Sequence, residues 1–144
     1  MDTTSCQILI TILFLEWIGD FLLQSREMGK TKSEKPSVLI QHLVLLSIPL
    51  AVAGWVWGLD PIKWMWFLWL NAAIHGFIDW NIWKGYKYSV LSRLGLIGMD
   101  LDHPPIKKQI EEYRYYEDSW FYSTIGLDRF LHVATIIGLY ALLF

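Results

Sequence analysis

The chain has 144 residues, enough for one domain, with a formal net charge of -2 and a single cysteine, Cys6. One cysteine excludes a disulfide framework and a thiolate metal cluster. The net charge says nothing about nucleic acid, and no basic patch interleaved with aromatics suggests it, so none is expected as a partner. Hydrophobic residues make up 54% and aromatic residues 16% of the chain, which points instead to a lipid membrane.

The N-terminal Met1-Asp-Thr-Thr-Ser5 lacks the positive region of a cleaved signal peptide, and Glu16 and Asp20 interrupt the apolar run behind it. That run, about 6–24, is expected as a retained first helix. A second helix is expected over about 38–59, with Pro49 near its middle, where a kink is tolerable in a membrane. The Gly58-Leu-Asp-Pro61 turn separates it from a third, about 63–83. A fourth is expected over about 125–144. Each run approaches the about 20 residues needed for one crossing. The predicted fold is therefore all-α, a four-transmembrane-helix bundle forming a single integral membrane domain over 1–144. No internal repeat or low-complexity segment is visible.

The connections orient this bundle. Arg26, Lys30, Lys32 and Lys35 follow the first helix, and Lys84, Lys87, Arg93, Lys107, Lys108 and Arg114 lie in the loop 84–124. The other side holds only Lys63, so the positive-inside rule makes both basic loops cytoplasmic and both termini external, in a bacterial inner membrane. Trp55, Trp57, Trp64, Trp66 and Trp69 then form an outer aromatic belt. Within the long loop, 106–116 suits a short amphipathic helix on the membrane face or a solvated connector. Asp100, Asp102 and His103 read as a proline-rich turn.

The chemistry lies on stripes at four-residue steps, which stack on one face of a helix. Glu16, Asp20 and Gln24 form one, and Asn71, His75 and Asp79 a second; Asp128 and His132 form a third, and His42 opens the second helix. Counted from the cytoplasmic ends, Glu16, Asp20, His42, His75, Asp79, Asp128 and His132 all fall about 5–12 Å inside the boundary. Ionisable groups at that depth mark function. Ion pairing does not absorb them, because the predicted helix interiors supply no lysine there and only Arg129 is close. Four unpaired carboxylates would repel one another, and a divalent cation resolves that. Carboxylates with imidazoles suit Zn, Mn or Fe, and seven candidate ligands suit two ions. Asp20, Asp79 and Asp128 are the candidate catalytic carboxylates. Gln24 and Asn71 stand ready to orient ligands or substrate, and Lys32 and Lys84 would ring the cytoplasmic opening, where an anionic head group binds.

The set Asp20-Phe21-x-x-Gln24, Lys32, His42, His75-x-x-x-Asp79 with Lys84, and Asp128-x-x-x-His132 resembles a family of small phage and bacterial membrane proteins of unknown function. That family is distantly similar to the LexA-regulated, membrane-bound metal-dependent hydrolases. The resemblance covers the four helices. It departs from the family at Glu16, where a histidine is usual, and at Arg129, where glutamine is common, so a substrate contact there differs. It implies metal-dependent hydrolysis of a lipid or lipid-linked phosphate or ester at the cytoplasmic leaflet. Three other readings remain: a di-iron membrane oxidase, a metal or proton transporter, and a non-enzymatic phage membrane-remodelling protein. Soluble di-iron bundles use Glu-x-x-His at three-residue steps rather than four. A transporter needs polar outer halves, and a remodelling protein needs no converging acid and imidazole layer.

Overall fold

Prolines, glycines and aspartates set most of the helix boundaries in the computed structural model, which describes residues 3–144 apart from the Glu111 side chain. Met1 and Asp2 of the N-terminal stretch lie outside the described residues. Helix α1 runs Thr3–Trp17 and continues into a π-helical turn, Ile18–Leu22. A short α2, Arg26–Thr31, follows, capped by Ser25 Oγ accepting from the Met28 N–H. Helix α3, Pro36–Val56, starts on its own proline and passes through Pro49 unbroken. Helix α4, Pro61–Arg93, opens on Asp60, whose side chain accepts from the N–H groups of Ile62 and Lys63. After α5, Pro104–Glu111, and a 3₁₀ turn, Tyr115–Glu117, helix α6 runs Ser119–Leu143. The described residues contain no strand, so the fold is all-α.

Helix α4 runs ten residues past the end that its sequence pattern predicts. Residues 84–93 are basic but hold no proline, and the one glycine among them, Gly85, is carried within the helix. The helix stops where Gly95 takes the left-handed conformation (φ 69°), which lets the Leu96 N–H reach Leu91 O and the Gly95 N–H reach Ser92 O. The expected helix over 106–116 is shorter, ending at Glu111.

Among the described residues three helices are long and apolar enough to cross a membrane: Thr3–Leu22, Pro36–Val56 and Ser119–Leu143. The expectation of four is corrected by α4, whose Lys63, Asn71, His75 and Asp79 lower its hydropathy below that of its neighbours. Helix α4 nevertheless packs between α3 and α6, and α1 closes the ring against both.

The packing is inside-out relative to a water-soluble bundle. Ile40, Val44, Ile48 and Val52 of α3 repeat every four residues, and each is more than half exposed. The buried positions instead include Glu16, Asp20, Lys32, His42, Asn71, His75, Asp79, Asp128 and His132. An apolar cluster of Ile8, Ile12, Leu50, Trp64, Phe67, Ile136, Leu139 and Tyr140 fills the opposite end. Apolar residues outside and polar ones within is the arrangement a hydrocarbon solvent favours.

Candidate metal centre

Four helices and the α2 turn converge on one buried cluster. Glu16 comes from α1 and Asp20 from the π turn, where the Leu23 N–H bonds to Ile18 O. π turns concentrate at functional sites because the extra residue re-aims a side chain. The turn has a packing requirement as well: a Cβ on Gly19 would lie 2.8 Å from Leu46 Cδ1 and 3.1 Å from Leu46 Cα. Only glycine there lets α3 come close enough to deliver His42.

Around Asp20 the atoms form a small polyhedron. His42 Nε2 lies 3.2 Å from Asp20 Oδ1, 3.3 Å from Asp79 Oδ2 and 3.2 Å from His75 Nε2. His75 Nε2 lies 3.3 Å from Asp79 Oδ2 and 3.9 Å from Asp20 Oδ1. A tetrahedral ion with ligand bonds of about 2.0–2.2 Å has ligand-to-ligand edges of about 3.3–3.6 Å. Four of the five edges lie within about 0.1 Å of that range, the His75–Asp20 edge is longer, and the four residues form a group able to hold a metal ion.

Hydrogen-bond roles sharpen the fit. Glu16 Oε1 lies 3.2 Å from His75 Nδ1. A carboxylate only accepts, so Nδ1 carries the proton and a neutral ring has its lone pair on Nε2. Lys32 Nζ donates to Asp20 Oδ1 at 3.3 Å and lies 3.4 Å from His42 Nε2. In the tautomer where Lys32 donates to His42 Nε2, the His42 and His75 lone pairs would face each other 3.2 Å apart, with His42 Nδ1 buried and unpartnered. Asp79 is fully buried, yet neither of its oxygens has an aligned hydrogen bond, although Lys32 Nζ lies 2.9 Å from Oδ2. Buried acceptors left in this state are costly unless a cation completes them.

Two further groups share these residues. Glu16, His75 and His132 form one, with the two imidazoles stacked at 3.8 Å. Asp20, Asp128 and His132 form the other, but Arg129 occupies it. The Arg129 guanidinium pairs with Asp20 Oδ2 and donates from Nη2 to His132 Nδ1 at 3.1 Å. Asp128 Oδ1 and His132 Nε2 are buried without a hydrogen-bond partner.

The structure thus draws together all seven candidate ligands, and it moves one cation. Lys32, expected at the cytoplasmic opening, is buried within the cluster, so ion pairing does reach this layer. Arg129 sits at the cluster edge over the Phe21 ring. Asn71 is buried one turn from His75. Gln24 leaves the stripe, because the helix ends in the π turn at Leu22, and its amide nitrogen lies 2.7 Å from where a Gly29 Cβ would sit. Lys84 is exposed and stacks over the Trp80 ring at 3.9 Å. Asp100, Asp102 and His103 are exposed and remote from the cluster, and Asp100 Oδ1 accepts from the Asp102 N–H as a turn residue.

A second polar knot ties the end of α4 to the start of α6. Asp118 caps α6 through the Trp120 N–H and accepts from Tyr86 Oη, Tyr113 Oη and both terminal nitrogens of Arg93. The Arg93 guanidinium, then the phenol and N–H donors, hold the Asp118 carboxyl well below the usual carboxylate range. Burial, then the neighbouring carboxylate, pushes the Tyr86 phenol up.

No curated protein and no solved structure matches the chain. Residues 8–144 match a family described only as protein of unknown function (DUF3307), a span that takes in every residue of the buried cluster, and the chain belongs to that family.

Proposed function

We propose that the protein is a membrane-embedded, metal-dependent hydrolase acting on a lipid or lipid-linked phosphate or ester at the cytoplasmic leaflet. The observation that carries this reading is the pair of facing imidazole Nε2 atoms, 3.2 Å apart and framed by Asp20 and Asp79. Helix α4 crosses beside the three apolar helices in this reading. It is flanked by α3 and α6 and delivers His75 and Asp79 at the depth where α1 delivers Asp20 and α6 delivers His132.

Asp20, His42, His75 and Asp79 would hold one Zn, Mn or Fe ion, in place of the two expected from ligand number. A divalent cation supplies Lewis acidity toward a phosphoryl or acyl oxygen. Glu16 holds the His75 tautomer by accepting from Nδ1, a carboxylate–histidine pairing that raises ligand basicity. Asp128 Oδ1, unpartnered beside the ligand set, takes the proton from an attacking water and returns it to the leaving group. Arg129, one-fifth exposed, stands where an anionic group would enter. The exposed apolar faces of α3 and α6 leave the substrate's hydrocarbon part in the bilayer.

Lys32 and Arg129 favour one second reading, a proton relay, since they already balance part of the negative charge without metal. Metal analysis of the detergent-purified protein separates the two. About one equivalent per chain, lost in a His42→Ala/His75→Ala variant, supports the hydrolase and justifies assaying phospholipids and lipid-linked phosphates. No bound metal, even after Zn and Mn are added back, leaves the relay.

A further inference from the structure

Lys32 is the one cation in contact with the ligand set of the proposed metal that the sequence pattern does not place there. Its ammonium touches Asp20 Oδ1, Asp79 Oδ2 and His42 Nε2, three of the four ligand atoms, and so caps one face of the tetrahedron. Its side chain is only 5% exposed. The position is held from several sides. Ser25 caps α2, Lys32 N bonds to Met28 O, and Ser33 beside it is buried. Lys87 of α4 straps the turn by donating to Lys30 O and Glu34 Oε1, both at 2.6 Å. A lysine that only marked the cytoplasmic side would extend into solvent, where it keeps its hydration and rotamer freedom.

Resting on the metal reading above, we infer that Lys32 is the second cation of the centre: its ammonium holds the Asp20–Asp79 oxygens that would bridge a second metal, limits the site to one divalent ion and weakens the hold on that ion. In dinuclear hydrolytic sites the second metal shares carboxylates with the first at about 3.5–4 Å. Here those carboxylates already carry an ammonium. The charge balance agrees. Glu16, Asp20, Asp79 and Asp128 face Lys32 and Arg129, and one divalent ion closes the difference where two would overshoot it. Two cations on the same pair of oxygens repel each other across a poorly screened interior, so the metal binds against the ammonium.

The test is titration of detergent-solubilised protein with Mn and with Zn, reading stoichiometry and affinity for the wild type, Lys32→Met and Lys32→Arg. Thermal unfolding of each with and without metal is the second readout. The expected result is one equivalent in the wild type and at least about tenfold tighter binding in Lys32→Met. Lys32→Arg, which keeps the charge, should bind no tighter than the wild type. Metal should raise the unfolding temperature more in Lys32→Met than in the wild type, because the carboxylates there have lost their resident cation. A Lys32→Met protein that folds only with metal supports the inference, and one that folds under neither condition overturns it. Two equivalents in the wild type, or equal or weaker binding in Lys32→Met, overturn it while leaving the metal reading in place. Binding by Lys32→Met alone overturns the one-ion centre in the native protein, and with it both the inference and the metal reading. No binding by any variant overturns both.

Discussion

Glu16 Oε1 and His75 Nδ1, 59 positions apart in the chain, meet at 3.2 Å with both side chains almost fully buried. The contact fixes which nitrogen of His75 faces Asp79. Removing the carboxylate by Glu16→Ala should lower metal affinity about 10–100-fold without removing a metal-facing atom. Glu16→Gln, whose amide oxygen still accepts from Nδ1, should recover part of that loss. Competition against a chromophoric chelator measures both, and an unchanged Glu16→Ala affinity would sink the orienting role.

Asp79 supplies the only ligand that is fully buried and without an aligned hydrogen bond at either oxygen. Asp79→Asn keeps the shape but removes the charge, so bound metal should fall from about one equivalent to a small fraction. Circular dichroism should report the same helix content as the wild type. Full metal occupancy in this variant would move the site elsewhere.

The close approach of the π turn to α3 makes Gly19 sensitive to a single methyl group. Gly19→Ala sets a Cβ against Leu46 Cδ1 and the Leu46 backbone, so α1 and α3 must separate or the turn must rewind. A loss of about 1–3 kcal/mol in stability is expected, together with weaker metal binding, because Asp20 and His42 sit on the two separated elements. Denaturant titration with a parallel metal titration checks the pairing. A stability loss with unchanged metal affinity would show that the turn is not what aims Asp20.

Asp118 gives a pH prediction outside the membrane-spanning segments. Its folded pKa is depressed, so its contribution is present above the ordinary aspartate pKa and is lost as pH falls through the folded value. Asp118→Asn should therefore lower the unfolding temperature by a few degrees at pH 7. The gap to wild type should close progressively below about pH 4. Tyr86→Phe, which removes one donor to Asp118, should show a smaller loss with the same acid dependence. A gap independent of pH would assign Asp118 to packing alone.

The four-residue steps of His75/Asp79 and Asp128/His132 were legible in the sequence because a helix interior turns spacing directly into a shared face. Counting depth from helix ends then placed residues from separate helices in one layer. The same arithmetic does not reach Gln24, because the helix ends in a π turn at Leu22 that no residue type announces. Lys32 was misplaced for a different reason. It lies in a short polar stretch with no hydrophobic period, and its burial follows from how α2 folds back under the Lys87 strap. The sequence pattern underestimates the length of α4, because basic residues suit a loop as well as a helix, and Gly95 is the residue that ends it. Spacing places Arg129 near the layer, but its pairing with Asp20 depends on α6 meeting the π turn, whereas its bond to His132 Nδ1 is a same-helix contact three residues on.

The pairing of Lys32 with Asp20 has a consequence for biogenesis. These two residues are only twelve positions apart, whereas Arg129 emerges from the ribosome more than a hundred positions after Asp20. An aspartate entering lipid alone is expensive, and waiting for α6 would leave it alone through most of synthesis. With Lys32 following closely, α1 and the start of α3 can partition into the bilayer as a charge-compensated hairpin, and later helices dock onto a site whose first ion pair already exists. On that account Lys32 serves the nascent chain as an escort before it serves the finished protein.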